Sequence, residues 1–270
     1  MNSVNLLGVR IDNVDVAQTR ALFSGWLSDH EEQVAKAVCT PNPEFLLAAE
    51  RDVSFKNLLN SFALNLPDGV GLRFAAAALT EQTLRNRVPG VQALLILAEL
   101  CWSEGERLHL LGEHDSCERA ATNLRHRFLG LEVTTFDPGP VNAAGDLSQF
   151  TMEVIDEMKP AVIAVGLGQG KQEACIKQHL KRWPSVKIMI GVGGACAMIG
   201  NTLPRAPQRL QQLGLEWLWR LWIEPQRYKR IWRAVVVFPG TVIAQTLKEQ
   251  RFWRPVRRTV PEIFLQLTGR

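Results

Sequence analysis

Residues 161–194 read AVIAVGLGQGKQEACIKQHLKRWPSVKIMIGVGG. The first five are an unbroken apolar run that enters Gly166-Leu167-Gly168. Lys171 to Trp183 has helical spacing, and Val186 to Gly191 is a second apolar run that enters Gly193-Gly194. Continuous apolar runs, as opposed to alternating ones, are what strands buried on both faces look like. Two such runs joined by a helix-length segment predict a parallel pair with a helical crossover.

The same alternation extends outward. Strands are predicted at Val34 to Cys39, Phe62 to Leu66, Arg107 to Leu111 and Leu131 to Phe136, with an opening strand or hairpin at Val4 to Ile11. Helices are predicted at Val14 to Ser28, Asn42 to Leu59, Val91 to Trp102, Ser116 to Phe128 and Leu147 to Met158. This pattern is an α/β, Rossmann-like fold: a mainly parallel sheet with helices on both faces. In such sheets ligands bind outside the carboxyl ends of the strands. That rule gathers Thr40-Pro41-Asn42, Pro67-Asp68-Gly69, Gly166 to Gln172 and Gly191 to Ala195 into one crevice.

Composition narrows the setting. With 270 residues the chain can hold one large domain, or a domain with an appendage. Five scattered cysteines form no Cys-x-x-Cys pair, which excludes a disulfide framework and a cysteine-based zinc site and suits a reducing cytoplasm. The first residues have neither a basic segment nor a long apolar run, so no secretory signal is expected. The strongest apolar candidate for a membrane span, Ile231 to Leu247, carries Arg233 and a Pro239-Gly240 break and is short for the purpose.

The net charge of +4 is unevenly spread. From Arg205 onward there are 13 Lys and Arg against 4 Asp and Glu, a net of +9, which leaves −5 for the rest. Five of the eight tryptophans also lie there: Trp217, Trp219, Trp222, Trp232 and Trp253. Basic charge alone would also suit nucleic acid. Tryptophan mixed with arginine beside short apolar runs favours a lipid interface. The expected division is therefore an α/β body over residues 1–204 and a basic, Trp-rich helical appendage over 205–270 that associates with a membrane.

Several residues have two readings. Asp68 in Pro-Asp-Gly is an ordinary turn residue, or a general base at a strand's carboxyl end. Thr40 or Asn42 caps the following helix, or bonds a sugar or phosphate. GLGQGKQE is neither a P-loop nor a complete dinucleotide fingerprint, and its glycines permit close backbone approach. Arg87 is a surface ion-pair partner, or a diphosphate ligand. Arg227, Arg230 and Arg233 recur at helical spacing, and Arg220 precedes Pro225. They form a solvated basic face, or a guanidinium clamp on a diphosphate.

Taken in order, these motifs resemble the WecG/TagA/CpsF glycosyltransferases, glycosyltransferase family 26. The matching residues are Thr40-Pro41-Asn42, Pro67-Asp68-Gly69, Arg87-Val88-x-Gly90, Gly166-x-Gly168-x-x-Lys171-Gln172-Glu173, Gly191-Val192-Gly193-Gly194-Ala195, Arg205-Ala206-Pro207, Gly214 to Leu221, and Glu224-Pro225-x-Arg227 with Arg230. The resemblance implies an inverting transfer, with no required metal or other cofactor, from a UDP-sugar to a polyprenyl-diphosphate-linked glycan acceptor. The sugar would be N-acetylmannosamine or a relative, and the setting bacterial surface-polysaccharide synthesis. It further implies Asp68 as base, and a sugar and nucleotide pocket lined by Thr40, Asn42, Arg87 and Gln172. Arg220, Arg227 and Arg230 would lie on the donor diphosphate. The expected place is the cytoplasmic side of the inner membrane, peripherally bound. A membrane surface is then a partner and nucleic acid is not, while a homo-oligomer stays open.

Two positions depart from the family pattern. Ala197 stands where an acidic residue is usual, and Gly170 replaces a common proline. Ala197 keeps two alternatives in view: a hexose or uronic acid donor in exopolysaccharide synthesis, or a catalytically impaired assembly protein that binds nucleotide sugar.

Overall fold

The structure, a computed structural model, describes residues 2–29, 34–82, 84, 86–202, 206, 207, 210 and 216–248, the last stretch without the side chains of residues 216, 217, 220 and 227. An antiparallel hairpin, β1 (Ser3–Leu6) and β2 (Val9–Asp12), opens the chain. Its turn places Leu7 and Gly8 at φ 53° and 85°, the left-handed pair that a tight hairpin requires. Val4, Leu6, Val9 and Ile11 are buried. The Asp12 carboxylate accepts the Asn65 backbone N–H at 2.8 Å, which ties the hairpin to the main sheet.

The main sheet holds six strands: β3 (Lys36–Cys39), β4 (Leu64–Asn65), β5 (Leu108–Gly112), β6 (Val133–Phe136), β7 (Val162–Gly166) and β8 (Ile188–Gly191). Their order is β4-β3-β8-β7-β5-β6, and every pairing is parallel. Successive side chains of a strand point to opposite faces, so each strand feeds two cores. Val38, Leu64, Leu110, Ala164 and Ile190 pack on one side with α1 (Val16–Leu27), α5 (Gly90–Glu104), α6 (His114–Arg127) and α9 (Ala195–Ile199). Cys39, Leu111, Ile163, Val165 and Met189 pack on the other. That face is covered by α2 (Pro43–Arg51), α3 (Val53–Asn60), α4 (Val70–Leu79), α7 (Gln149–Met158) and α8 (Lys171–His179). The expected α/β, Rossmann-like class is the observed one.

Besides the short α9, which the sequence reading did not include, the elements differ from that reading in four places. The single helix expected over Asn42 to Leu59 is two. Asp52 is extended, and its side chain accepts the N–H groups of Ser54 and Phe55, which caps α3. A helix not expected, α4, starts directly after Pro67-Asp68-Gly69, with Gly69 at φ 103°. Helix α8 stops at His179, before Trp183; the residue ahead of a proline is disfavoured in the helical region, and Trp183 precedes Pro184. Trp183 instead stacks on His179 at 5.7 Å.

The fourth difference lies in the tail. After α10 (Glu216–Ile223), a 3₁₀ turn at Pro225–Arg227 leads into α11 (Tyr228–Trp232). A π turn at Arg233–Val237 follows, then α12 (Phe238–Lys248), so no break occurs at Pro239-Gly240. Proline has no N–H for the carbonyl four residues back, and the wider turn just before it removes that demand. Phe238, Val242 and Thr246 are buried on one face of α12. Phe238 sits against Gly71 of α4, where an added Cβ would lie 3.5 Å from its ring and 2.8 Å from Pro43. Among the described residues no helix is long and apolar enough to cross a membrane.

Candidate active site

The carboxyl ends of β3, β4 and β8 meet the start of α5, and backbone bonds fix the meeting. The Asp68 N–H donates to the Pro41 carbonyl at 2.9 Å, and the Val88 N–H to the Pro67 carbonyl at 2.9 Å. The Thr40 hydroxyl donates to the Gly191 carbonyl at 3.1 Å. Gly90 is closely approached: a Cβ would lie 3.0 Å from the Val192 carbonyl oxygen and 3.5 Å from the Thr40 hydroxyl. Thr40, Asn42, Asp68 and Arg87 therefore belong to one cluster of strand ends.

Each has a definite local role. Thr40 is buried, and its hydroxyl bridges β3 to β8. Asn42 is the N-cap of α2: its side-chain oxygen accepts from Glu44 N at 2.9 Å and Phe45 N at 3.3 Å. Of the two capping candidates, Asn42 is thus the one that caps. Asp68 is half-buried and leads straight into α4, whose first turn has no side-chain cap. Uncapped N–H groups and a helix dipole there favour an anion.

Gln172 joins the cluster from α8, buried and with both halves of its amide engaged. Its oxygen accepts the Gly193 N–H at 3.1 Å, and its nitrogen donates to Glu173 Oε1 at 2.6 Å. Gly191 must be glycine beside it, since a Cβ would come 2.8 Å from Gln172 Nε2. Glu173 is fully buried, and burial raises its carboxyl to about 7. Cys39, 3.9 Å from Glu173 Oε1, is pushed well up by burial and then by the Glu173 charge, so it remains a thiol.

Arg230 reaches the site from the tail. It grips Glu44 through Nε at 3.1 Å to both carboxylate oxygens and through a terminal nitrogen at 2.7 Å. Glu44 lies in the first turn of α2, two residues beyond Asn42. This bidentate contact holds the Arg230 charge firmly, the carboxylate raising its pKa. Arg230 and Arg233 line one cavity of about 560 Å³, together with Glu44, Leu47, Phe55 and Gln169. This cavity flanks the strand-end cluster along α2; Asp68, Thr40 and Arg87 are not among its walls. The side chains of Arg220 and Arg227 lie outside the described residues, as do Arg205, Gly214, Leu215 and everything past residue 248.

Sequence reasoning passed over Glu44, which a tail arginine grips, and gave Glu173 no separate role. Glu173 does have a local signal. It stands three residues after Gly170 and accepts that residue's N–H at 2.6 Å, the N3 half of a capping box.

The parallel sheet thus carries a strand-end crevice with a carboxylate and glycine turns, beside a cavity lined by two tail arginines. A family model described as the glycosyl transferase WecG/TagA/CpsF family matches residues 4–252, and the chain belongs to that family. It is a glycosyltransferase. The match extends beyond both ends of the 34–233 stretch that carries the sequence motifs. Among its relatives is a protein of Bacillus subtilis (strain 168), 25% identical over 234 residues that cover 86% of this chain and 89% of that one. Another, of Staphylococcus aureus (strain MRSA252), is 27% identical over 237 residues, with 87% and 90% covered. Both are named N-acetylglucosaminyldiphosphoundecaprenol N-acetyl-beta-D-mannosaminyltransferase.

Proposed function

We propose that the chain transfers N-acetylmannosamine, or a closely related sugar, from a UDP-sugar to an undecaprenyl-diphosphate-linked acceptor during bacterial surface-polysaccharide synthesis. The observation that carries this reading is the fixed place of Asp68, at the carboxyl end of β4 and bonded by its backbone to the Pro41-Asn42 turn. Relatives whose names specify an N-acetylglucosaminyldiphosphoundecaprenol acceptor support the acceptor class.

Asp68 takes the proton from the acceptor hydroxyl as that oxygen bonds to the anomeric carbon. The bond from that carbon to UDP breaks on the opposite face, its electron pair stays with the diphosphate, and the configuration inverts. Arg220, Arg227 and Arg230 take up the charge on the leaving diphosphate, so no metal ion is required for that task. Thr40, Asn42 and Arg87 line the sugar and nucleotide pocket, and Gln172 holds the β8 turn beside it. Residues 1–204 act as the catalytic body and 205–270 as the appendage that completes the site.

The enzyme works peripherally, on the cytoplasmic side of the inner membrane. The exposed Trp222, Trp232, Ile243 and Leu247 of the tail support a membrane-facing surface there. A second reading, a nucleotide-sugar-binding assembly protein with impaired catalysis, draws on Ala197 in α9. UDP release decides between them. A panel of UDP-sugars is offered with polyprenyl-diphosphate-N-acetylglucosamine, with and without a chelator. The proposal expects acceptor-dependent release with one donor, unaffected by the chelator. Donor binding without release by any donor would favour the second reading.

A further inference from the structure

Glu173 is a fully buried carboxyl to which the transfer reaction assigns nothing. Its surroundings are built around it. Three donors converge on its two oxygens: the Gly170 N–H at 2.6 Å, the Gln172 amide nitrogen at 2.6 Å and the Cys39 thiol at 3.9 Å. Apart from the weakly accepting Cys39 sulfur, these groups offer it no acceptor, so the geometry suits a carboxylate better than a carboxylic acid.

The chain of constraint continues outward. The Gly193 N–H requires an acceptor, and the Gln172 oxygen supplies it at 3.1 Å. That fixes which way round the Gln172 amide lies and turns its nitrogen toward Glu173. A protonated Glu173 competes with this arrangement, since its hydroxyl needs an acceptor, and beside the weakly accepting Cys39 sulfur the strong one within reach would be a reversed Gln172 amide. Reversal would set the amide nitrogen against the Gly193 N–H, donor against donor. The Gly191 to Gly194 turn that depends on this contact is also the turn to which Thr40 is bonded.

We propose that Glu173 is a positioning residue for sugar transfer: as a carboxylate it orients the Gln172 amide, and through it the Gly193 N–H and the glycine turn that closes the β8 side of the donor pocket. The inference rests on the transferase reading given above. Burial holds the Glu173 carboxyl at about 7, so its charge state changes within the working range. The titratable group facing it is Cys39, from β3, with the charge of Asp68 acting on Cys39 from beyond. Helix α8 and β8 bring the neutral Gln172 amide, the Gly170 N–H and Gly191 against it.

The test compares wild type with Glu173→Gln. Glutamine keeps the shape but offers one acceptor oxygen to the same donors, so either Gly170 or Gln172 loses its bond. The variant should keep its fold by circular dichroism and lose roughly tenfold or more in kcat/KM above pH 8. Wild-type kcat/KM should fall on acidification with a midpoint near the Glu173 value of about 7. The variant should lack that limb, which a merely structural role would not remove.

Calorimetry on wild type supplies a measurement independent of the variant's folding. Titration with UDP-N-acetylmannosamine in buffers of different ionisation enthalpy should show proton release at pH 6.5 and none at pH 8.5. The diphosphodiester of the donor has no proton to lose in that range. Identical pH profiles for the two proteins, or donor binding with no proton release, would overturn the role of Glu173 and leave the transferase reading intact. A wild type that neither binds nor transfers at any pH would overturn the transferase reading, and this inference with it.

Discussion

Phe238→Ala weakens the largest apolar contact between the tail and the body. Phe238 is 1% exposed and lies against Gly71 of α4, with Val242 and Thr246 as the other buried residues of α12. Removing a buried phenylalanine costs about 3–5 kcal/mol, the transfer of the ring plus the cavity left behind. Val242, the other buried apolar residue of α12, is worth about 1.5–3 kcal/mol when fully buried, and Val237 adds a partly buried contact. Phe238 therefore carries the larger share of docking.

If that loss falls on docking alone, the undocked population rises by about two to four orders of magnitude. Hydrogen exchange read by mass spectrometry can see this locally. Amides of 228–248 should exchange faster by that factor, while those of β5, β7 and β8 keep their protection. Transfer activity should drop in parallel, because Arg230 rides on the same helical run. Unchanged exchange in 228–248, or equal acceleration throughout the sheet, would refute a separately docked arm.

Other consequences follow from single contacts. Glu44→Gln weakens the bidentate hold on Arg230; if that arginine serves the diphosphate, KM for the UDP-sugar should fall, whereas Arg230→Ala should raise it. Steady-state kinetics on the two variants checks the opposite signs. Gly191→Ala drives a Cβ to 2.8 Å from Gln172 Nε2, so thermal denaturation should show a loss of about 1–3 kcal/mol, with activity reduced beyond that loss. The Glu173 carboxyl is raised on folding from 4.5 to about 7, so the folded state holds its proton where the unfolded chain has released it. Its contribution to stability is complete below pH about 4.5 and is lost as pH rises toward 7. Chemical denaturation of wild type should show this decline, and Glu173→Gln should flatten it.

Much of the fold was legible because buried parallel strands present themselves as short apolar runs closed by glycine, as at Val162–Gly166 and Ile188–Gly191. Helix α4 was not, since VGLRFAAAAL follows a Pro-Asp-Gly turn and its alanine run lacks a clear polar face. The break at Asp52 falls inside an apolar periodicity that continues through it, so only its capping chemistry marks it. Pro239-Gly240 gave the opposite error: local punctuation signalled a break, and a π turn upstream absorbed it.

The rule of strand carboxyl ends gathered segments that do meet in the structure. It could not supply their partners. Arg230 finds Glu44 across 186 residues, and Gln172 faces inward to Gly193, contacts that exist only once α2, α8 and the tail are packed. A residue type at a strand end shows where chemistry can occur. Which of its atoms are already engaged is a property of the packed structure.

On the proposed mechanism Asp68 performs the proton transfer in a sugar-transfer reaction. The most direct measurement is transfer of labelled sugar from the active UDP-sugar to polyprenyl-diphosphate-N-acetylglucosamine by wild type and Asp68→Asn, with donor affinity measured in parallel by calorimetry. The variant should lose about 10²–10⁴-fold in kcat while binding donor within a few-fold of wild type. A variant that turns over at the wild-type rate would contradict it.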